Sequence, residues 1–295
     1  VSFGTLNTLD PDASETFSYA ITGGTDEASF EIGSSNQLKF KSTVSANFET
    51  KSSYTVTVTS TDAASHTVSE SFTVSITDVN ESPTDISLSI GNASENVAGA
   101  SFGILSTSDP DTSDTFSYAV TGGADAANFE IGSSNQLKFK SSVTGNYEIK
   151  NSYGVTITST DVGSNTYTKT FYVYLSDINE YPSFTSSGVL SIAENGSAVV
   201  TVTSTDPEGA SLTYSLGAGD DSAKFNITSA GVLTFLRSPD YEIPSDTNED
   251  NVYRVNIIVS DGTRSTGQAM DVTVTDVTEA SGLETPDNVQ TVETK

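Results

Sequence analysis

Phe129-Glu130-Ile131-Gly132-Ser133-Ser134-Asn135-Gln136-Leu137-Lys138-Phe139-Lys140-Ser141 repeats, residue for residue, the stretch from Phe30 to Ser42. Phe-Glu-Ile, a polar Gly-Ser-Ser-Asn and Gln-Leu-Lys-Phe read as two short strands joined by a tight turn. The identity continues on both sides. Residues 1–83 align without a gap onto residues 100–182, and 52 of those 83 positions are the same. Such closeness marks a tandem duplication, so a site belonging to the unit should recur with it. A third, more diverged copy is anchored by Asp206-Pro207-Glu208, Leu212-Thr213-Tyr214, Tyr241-Glu242 and Val259-Ser260-Asp261. Asp78, Asp177 and Asp276 set the period at about 99 residues.

Inside each copy the pattern has period two. In Tyr153-Gly154-Val155-Thr156-Ile157-Thr158 large residues alternate with small polar ones, as in a half-buried strand. Thr, Ser, Val, Ile, Phe and Tyr suit a pleated surface and disfavour helix. About seven strands fit each copy. The expected fold is all-β: three tandem seven-stranded Greek-key β-sandwiches in an elongated array. The boundaries are 1–83, 84–182 and 183–280, followed by a flexible tail over 281–295. The chain begins inside a β-pattern at Val1, so the first copy is expected to lack its N-terminal strand and the whole to be a piece of a longer protein.

Composition narrows the function. There are 39 Asp+Glu against 12 Lys+Arg, a net charge of −27, which argues against nucleic acid or an anionic membrane as partner. No apolar run reaches the ~18 residues needed to span a bilayer, and no signal peptide is visible. With no Cys there is no disulfide, thiolate zinc site or Cys nucleophile. The single histidine, His66, lies in the polar turn Ala64-Ser65-His66-Thr67 where copy 2 has Asn165, and reads as a surface residue. Disorder also suits a charged, weakly hydrophobic chain, but 12 Tyr and 14 Phe in regular placement oppose it.

The acids are not evenly spread. In copy 2 they cluster where loops join strands: Glu95, Asp109-Pro110-Asp111, Asn146-Tyr147-Glu148, Asp161 and the linker Asp177-Ile178-Asn179-Glu180. In a seven-strand sandwich Asp109, Asp111 and Asp161 fall at one end, and Glu95, Glu148 and the linker at the other. Stacked copies would bring Glu49, Asn80 and Glu81 against Asp109, Asp111 and Asp161. They would likewise bring Glu95, Glu148, Asn179 and Glu180 against Asp206, Glu208 and Asp261. Five to seven carboxylates in one crevice without a counter-ion would cost several kcal/mol. Hard oxygen donors in that number suit Ca²⁺, which takes 6–8 oxygens, better than Mg²⁺, which keeps its waters. The alternative is an acidic end that is merely solvated.

The order of an early Glu, Asp-x-Asp, a Tyr-Glu element, Thr-Asp and Asp-x-Asn-Glu-x-Pro resembles the cadherin extracellular repeat, over essentially residues 1–280. Pro239-Asp240-Tyr241-Glu242-Ile243-Pro244 with Asn251-Val252-Tyr253 is similar to the bacterial branch of that family, found in surface adhesins and secreted polysaccharide-active proteins. The resemblance implies Ca²⁺ at the repeat junctions. Its ligands would be Glu49, Glu81, Asp109, Asp111 and Asp161 at the first, with Asn80 and Asn47 in support. At the second they would be Glu95, Glu148, Glu180, Asn179, Asp206, Glu208 and Asp261, with Asn146. Asn47 and Asn146 stand where the family has Asp, and Glu81 and Glu180 replace the linker's second Asp. The first junction lacks an early Glu, so the second is expected to bind more ions or bind them more tightly. Glu194, Asp240, Glu242 and Glu279 suggest a further partial site. The insertion Asp246-Thr247-Asn248-Glu249-Asp250-Asn251 reads as a solvated loop, with a local calcium as the alternative.

Three functions compete. The first is a calcium-stiffened module of an extracellular or cell-surface adhesion protein, with a homophilic or heterophilic cell-surface partner. The second is a carbohydrate-binding module, or a passive spacer, of a secreted polysaccharide-active protein. Lack of Trp weakens it, while Tyr172 and Tyr174, in place of Thr73 and Ser75, keep it open. Packing against neighbouring strands is the expectation for both rings. The third is a glycosidase with two carboxylates. Triplicated acids at sandwich ends suit structural ions and not a single active site, so the chain reads as non-enzymatic.

Overall fold

A computed structural model describes residues 2–11 and 15–278; the tail expected over 281–295 lies outside the described residues. The described residues are all-β, apart from five 3-10 turns of three residues each. They build three β-sandwiches. In the first, β1 (Ser2–Thr5), β4 (Gln37–Phe40) and β3 (Phe30–Ile32) make one sheet. The other is formed by β2 (Ser18–Gly23), β5 (Ser53–Thr61) and β6 (Thr67–Ser75).

The second sandwich holds β7 (Asp85–Leu88), β8 (Asn92–Ser94), β9 (Ser101–Ser108), β10 (Ser117–Gly122), β11 (Phe129–Ile131), β12 (Gln136–Phe139), β13 (Ser152–Thr160) and β14 (Thr166–Ser176). Its sheets run β11-β12-β9-β7 and β10-β13-β14-β8, so β9 to β10, β10 to β11 and β12 to β13 cross between layers. Seven strands were expected and eight segments are found. The first strand is interrupted around Gly91, which sits at φ +91°, and its two halves join opposite sheets.

The third sandwich contains β15 (Ser183–Phe184), β16 (Val189–Ala193), β17 (Ala198–Thr201), β18 (Ser204–Thr205), β19 (Thr213–Leu216), β20 (Phe225–Ile227), β21 (Val232–Phe235), β22 (Val252–Ser260) and β23 (Ser265–Thr275). Here β16 runs parallel to β23, while β22 and β23 form the long antiparallel pair. The residues group into two compact units. One is Val1–Gly145 with Ser152–Leu175, and holds the first two sandwiches; the other takes Asn146–Asn151 and the chain from Ser176.

The repeated stretch is the core-forming hairpin. Phe129 pairs with Phe139 and Ile131 with Leu137, while Ser134 and Asn135 take positive φ in the turn. Phe139 meets Phe102 of the neighbouring strand at 4.8 Å and, across the sandwich, Tyr153 at 5.0 Å between ring centroids, both edge-to-face. Phe40 meets Phe3 and Tyr54 at 4.7 and 4.8 Å in the first sandwich, and Phe235 meets Tyr253 at 4.9 Å in the third. Each buried large side chain stabilises by roughly 1.5–3 kcal/mol. On β13 Tyr153, Val155, Ile157 and Ser159 point inward, and the buried Ser159 hydroxyl bonds Thr107 Oγ1 at 2.7 Å. The loops between these strands are free to carry the acids.

Candidate metal centre

Residues 78–83 run from the first sandwich to the second and dock on the loops of the second by side-chain and main-chain hydrogen bonds. Asn80 Nδ2 donates to Asp161 Oδ2 and to the Glu81 carbonyl, both at 2.8 Å. The Glu81 carbonyl also accepts Asn165 Nδ2 at 2.9 Å. Glu81 N donates to Asp111 Oδ2 at 2.8 Å, and Asp111 N donates to Asp109 Oδ1 at 2.9 Å. The turn after β13 is shaped for this contact. A Cβ on Gly163 would stand 2.6 Å from Asn80 Nδ2, so only glycine lets the carboxamide lie there.

Around that docked linker the carboxylates converge. Glu49, Asp78, Glu81 and Asp111 each place one oxygen within 4.8 Å of the others, and so do Asp109, Asp114 and Asp161. Asp111 and Asp161 are 8% and 7% exposed. Burial, reinforced by the charges of Glu49, Asp111, Asp78 and Asp109, raises the Glu81 pKa. Burial likewise raises that of Asp114, with Asp111 and Asp109 adding to it. At Asp161 burial works the same way but is outweighed by hydrogen bonds from Asn80 and Asn165, which hold its carboxyl below the usual range.

Glu81 Oε2, Asp109 Oδ2 and Asp114 Oδ2 are buried and accept no hydrogen bond. A buried carboxylate oxygen in that condition is costly unless a cation or proton meets it. Seven carboxylates in two adjoining groups, three of their oxygens without a partner, offer the hard oxygen donors that calcium takes. The residues fit that ion.

The second unit repeats the linker contacts. Asn179 Nδ2 donates to Asp261 Oδ2 and to the Glu180 carbonyl at 2.8 Å, and Glu180 N donates to Glu208 Oε1 at 2.9 Å. Glu148, Asp177 and Glu208 bring carboxylate oxygens within 4.8 Å of one another, and Asp206 Oδ2 is buried without a partner. Glu95, 2% exposed, follows β8 in the first unit. In the third sandwich its counterpart Glu194 is held by main-chain donors, Tyr241 N at 2.7 Å and Val277 N at 2.8 Å. Glu242 and Asp276 lie beside it, and Glu279 lies outside the described residues.

The remaining candidate residues lie outside these clusters. Asn47 braces the turn before Glu49: its Oδ1 accepts Thr50 N at 2.7 Å and its Nδ2 donates to Glu49 Oε2 at 2.7 Å. Asn146 Oδ1 accepts Ile149 N in the same manner. The 246–251 insertion satisfies its own acids. Asp246 accepts Asp250 N and Asn251 N, and the Arg254 side chain binds Asp250, holding its pKa down at about 2. That is a self-braced loop. His66 is 84% exposed in its side chain and pairs with Asp62 at 2.9 Å. Tyr172 and Tyr174 do not pack under neighbours; they are 68% and 50% exposed.

Sequence reading missed Asp78, Asp177 and Asp114. The first two recur at the 99-residue period, and Asp177 stands in the acidic linker, but recurrence alone does not show that they converge with the other acids. Asp114 has Glu15 as its counterpart in copy 1 but no acid in the Asp206-Pro207-Glu208-Gly209-Ala210-Ser211 loop of copy 3.

No protein-family model matches the chain, and no curated protein does. Solved structures do. Mouse cadherin-23 EC22-24 superposes with a TM-score of 0.57 at 19% identity, covering 94% of this chain and 93% of that one. Mouse protocadherin-24 EC1-3 gives 0.54 at 18%, with 93% of each chain covered. The protocadherin gammaB7 EC3-6 cis-dimer structure gives 0.56 at 22%, covering 90% and 68%. The chain spans about half the length of the longer protocadherin ectodomains that it matches. At these identities the likeness establishes the fold: cadherin-like tandem repeats, three sandwiches matching three. No helix among the described residues is long and apolar enough to cross a membrane.

Proposed function

We propose that the chain is a calcium-binding tandem cadherin-like module of an extracellular or cell-surface protein of adhesion type, stiffened by Ca²⁺ where repeats meet. It is not an enzyme. One observation carries the reading: buried, unpartnered carboxylate oxygens of Glu81, Asp109 and Asp114 gather around a linker that is already docked. The first ion set draws on Glu49 from the first repeat, Asp78, Asn80 and Glu81 from the linker, and Asp109, Asp111, Asp114 and Asp161 from the second. In the second unit Glu148, Asn179, Glu180, Asp206, Glu208 and Asp261 take the same roles, with the repeats bounded at 83 and 182.

Glu81 is the pivot of the first set. Its N–H is fixed to Asp111 while its carboxylate faces Glu49, so a cation there ties both sandwiches to the linker between them. Without the ion the same acids repel, and burial together with that repulsion raises the Glu81 pKa. Extracellular calcium modules have dissociation constants of about 10⁻⁴–10⁻³ M. At free calcium ten-fold above that value each site stabilises the docked form by about 1.4 kcal/mol.

A glutamate-specific protease reports on the linker directly. Millimolar calcium is expected to slow cleavage after Glu81 more than ten-fold relative to chelator, read by mass spectrometry, while equal magnesium protects little. Equal cleavage in calcium and chelator would sink the proposal.

A further inference from the structure

The outward face of the sheet β10-β13-β14-β8, like the matching face of β2-β5-β6 in the first sandwich, is built of uncharged residues, but it differs from that face in bearing two aromatic rings. Its exposed strand positions are Ser, Ala, Thr, Gly, Asn and Tyr, and none is charged, in a chain of net charge −27. Asp125, just beyond β10, turns its Oδ2 onto Gly154 N at 2.9 Å. The threonines bond to one another across the strands: Thr158 Oγ1 to Thr121 and Thr168, and Thr156 Oγ1 to Thr170, each at 2.8 Å. Mutually bonded short hydroxyls give an even surface that still offers donors and acceptors to a ligand.

Two tyrosines end this ladder. Tyr172 and Tyr174 stand two positions apart on β14, so they share the outward face about 6.6 Å apart along the strand. Tyr172 faces Gly154 and Tyr174 faces Ser152. A Cβ on Gly154 would lie 3.4 Å from Tyr172 Cε1, so one edge of the ring rests over bare backbone while the ring stays 68% exposed. In copy 1 the three positions are Thr55, Thr73 and Ser75. Glycine and both tyrosines thus appear together, at one spot, in otherwise closely similar copies. The third sandwich instead pairs Arg254 with Asp271 across the strands at the positions of Gly154 and Tyr172.

The geometry points to a neutral polysaccharide bound on this face, with Tyr172 and Tyr174 as stacking residues and the Thr156–Thr170 hydroxyls beside them. Rigid, amphipathic Tyr rings offer large apolar faces at little entropic cost, and a pyranose ring presents C–H groups to such a face and hydroxyls to its rim. An anionic polymer would meet the chain's own charge, and a cationic one would find no acid on these strands. The inference stands apart from the calcium reading.

The test is depletion of the full chain from solution by insoluble cellulose, chitin, β-1,3-glucan and starch, with alginate gel as the anionic control. At least one neutral polysaccharide should deplete the protein, with alginate inert. Tyr172→Ala should weaken binding by up to about ten-fold, and Tyr172→Ala/Tyr174→Ala further. Tyr172→Phe/Tyr174→Phe should retain it, and unchanged melting temperatures would show that the fold is kept. Depletion by none of the neutral polymers, or equal depletion by the double alanine variant, would overturn the inference. So would a concentration-dependent dimer, abolished by Tyr172→Ala, in a protein that binds no glycan; that result would assign the face to a second copy.

Discussion

The same acidic loops occur at the same end of the first and second sandwiches, and they are used differently. Asp161 accepts Asn165 N with one oxygen and Asn80 of the incoming linker with the other. Its counterpart Asp62 accepts His66 N with one oxygen and faces the His66 ring with the other. Three substitutions separate the two turns: Ala63 becomes Val162, Ala64 becomes Gly163, and His66 becomes Asn165. The last two touch the linker, since Gly163 makes room for Asn80 and Asn165 holds the Glu81 carbonyl. The acidic motif therefore recurs with the fold, and on the proposed reading it holds ions where a linker docks, as at Asp161.

The largest effect that would break this contrast comes from the turn glycine. Gly163→Ala should displace Asn80 and lose two hydrogen bonds, one of them to a carboxylate, for about 2 kcal/mol in total. The reciprocal Ala64→Gly should leave the docked linker unaffected. Thermal melts of the full chain in calcium check both, and equal effects would mean that the linker does not depend on that close approach.

A smaller effect sharpens it. The hydrogen bond to Asp62, aided by its charge, raises the His66 pKa above 6.5. The stabilisation from that pair is therefore complete below about pH 6.5, the unperturbed value, and fades as pH rises through the folded pKa. An NMR titration should show His66 protonating above the free value and returning toward it in Asp62→Asn. An unshifted His66 would mean that Asp62 is not engaged as the structure has it.

Much of this was legible in the sequence. Alternation in Tyr153-Gly154-Val155-Thr156-Ile157-Thr158 gave the strand, and the exact repeat of Phe129–Phe139 marked the hairpin whose rings fill each core. Glu49, Asn80, Glu81, Asp109, Asp111 and Asp161 were legible as one group because only sandwich topology is needed to place them. Asp78 and Asp114 were not, since their convergence depends on how the linker bends and the loop folds back, which no local pattern encodes. The expectation for Tyr172 failed for a related reason. Burial of a strand residue follows from what stands opposite it, and Gly154 opposes it only once the register is known. The break of the first strand into β7 and β8 had no signal beyond Gly91.

The most direct measurement is a calcium titration of the full chain by calorimetry, comparing Asp161→Asn with Asp62→Asn. These are the same position in two copies, one at the docked linker and one paired with His66. The account predicts that Asp161→Asn weakens or removes part of the saturable binding by more than ten-fold, while Asp62→Asn leaves it unchanged. Equal loss from both variants, or no loss from Asp161→Asn, would contradict it.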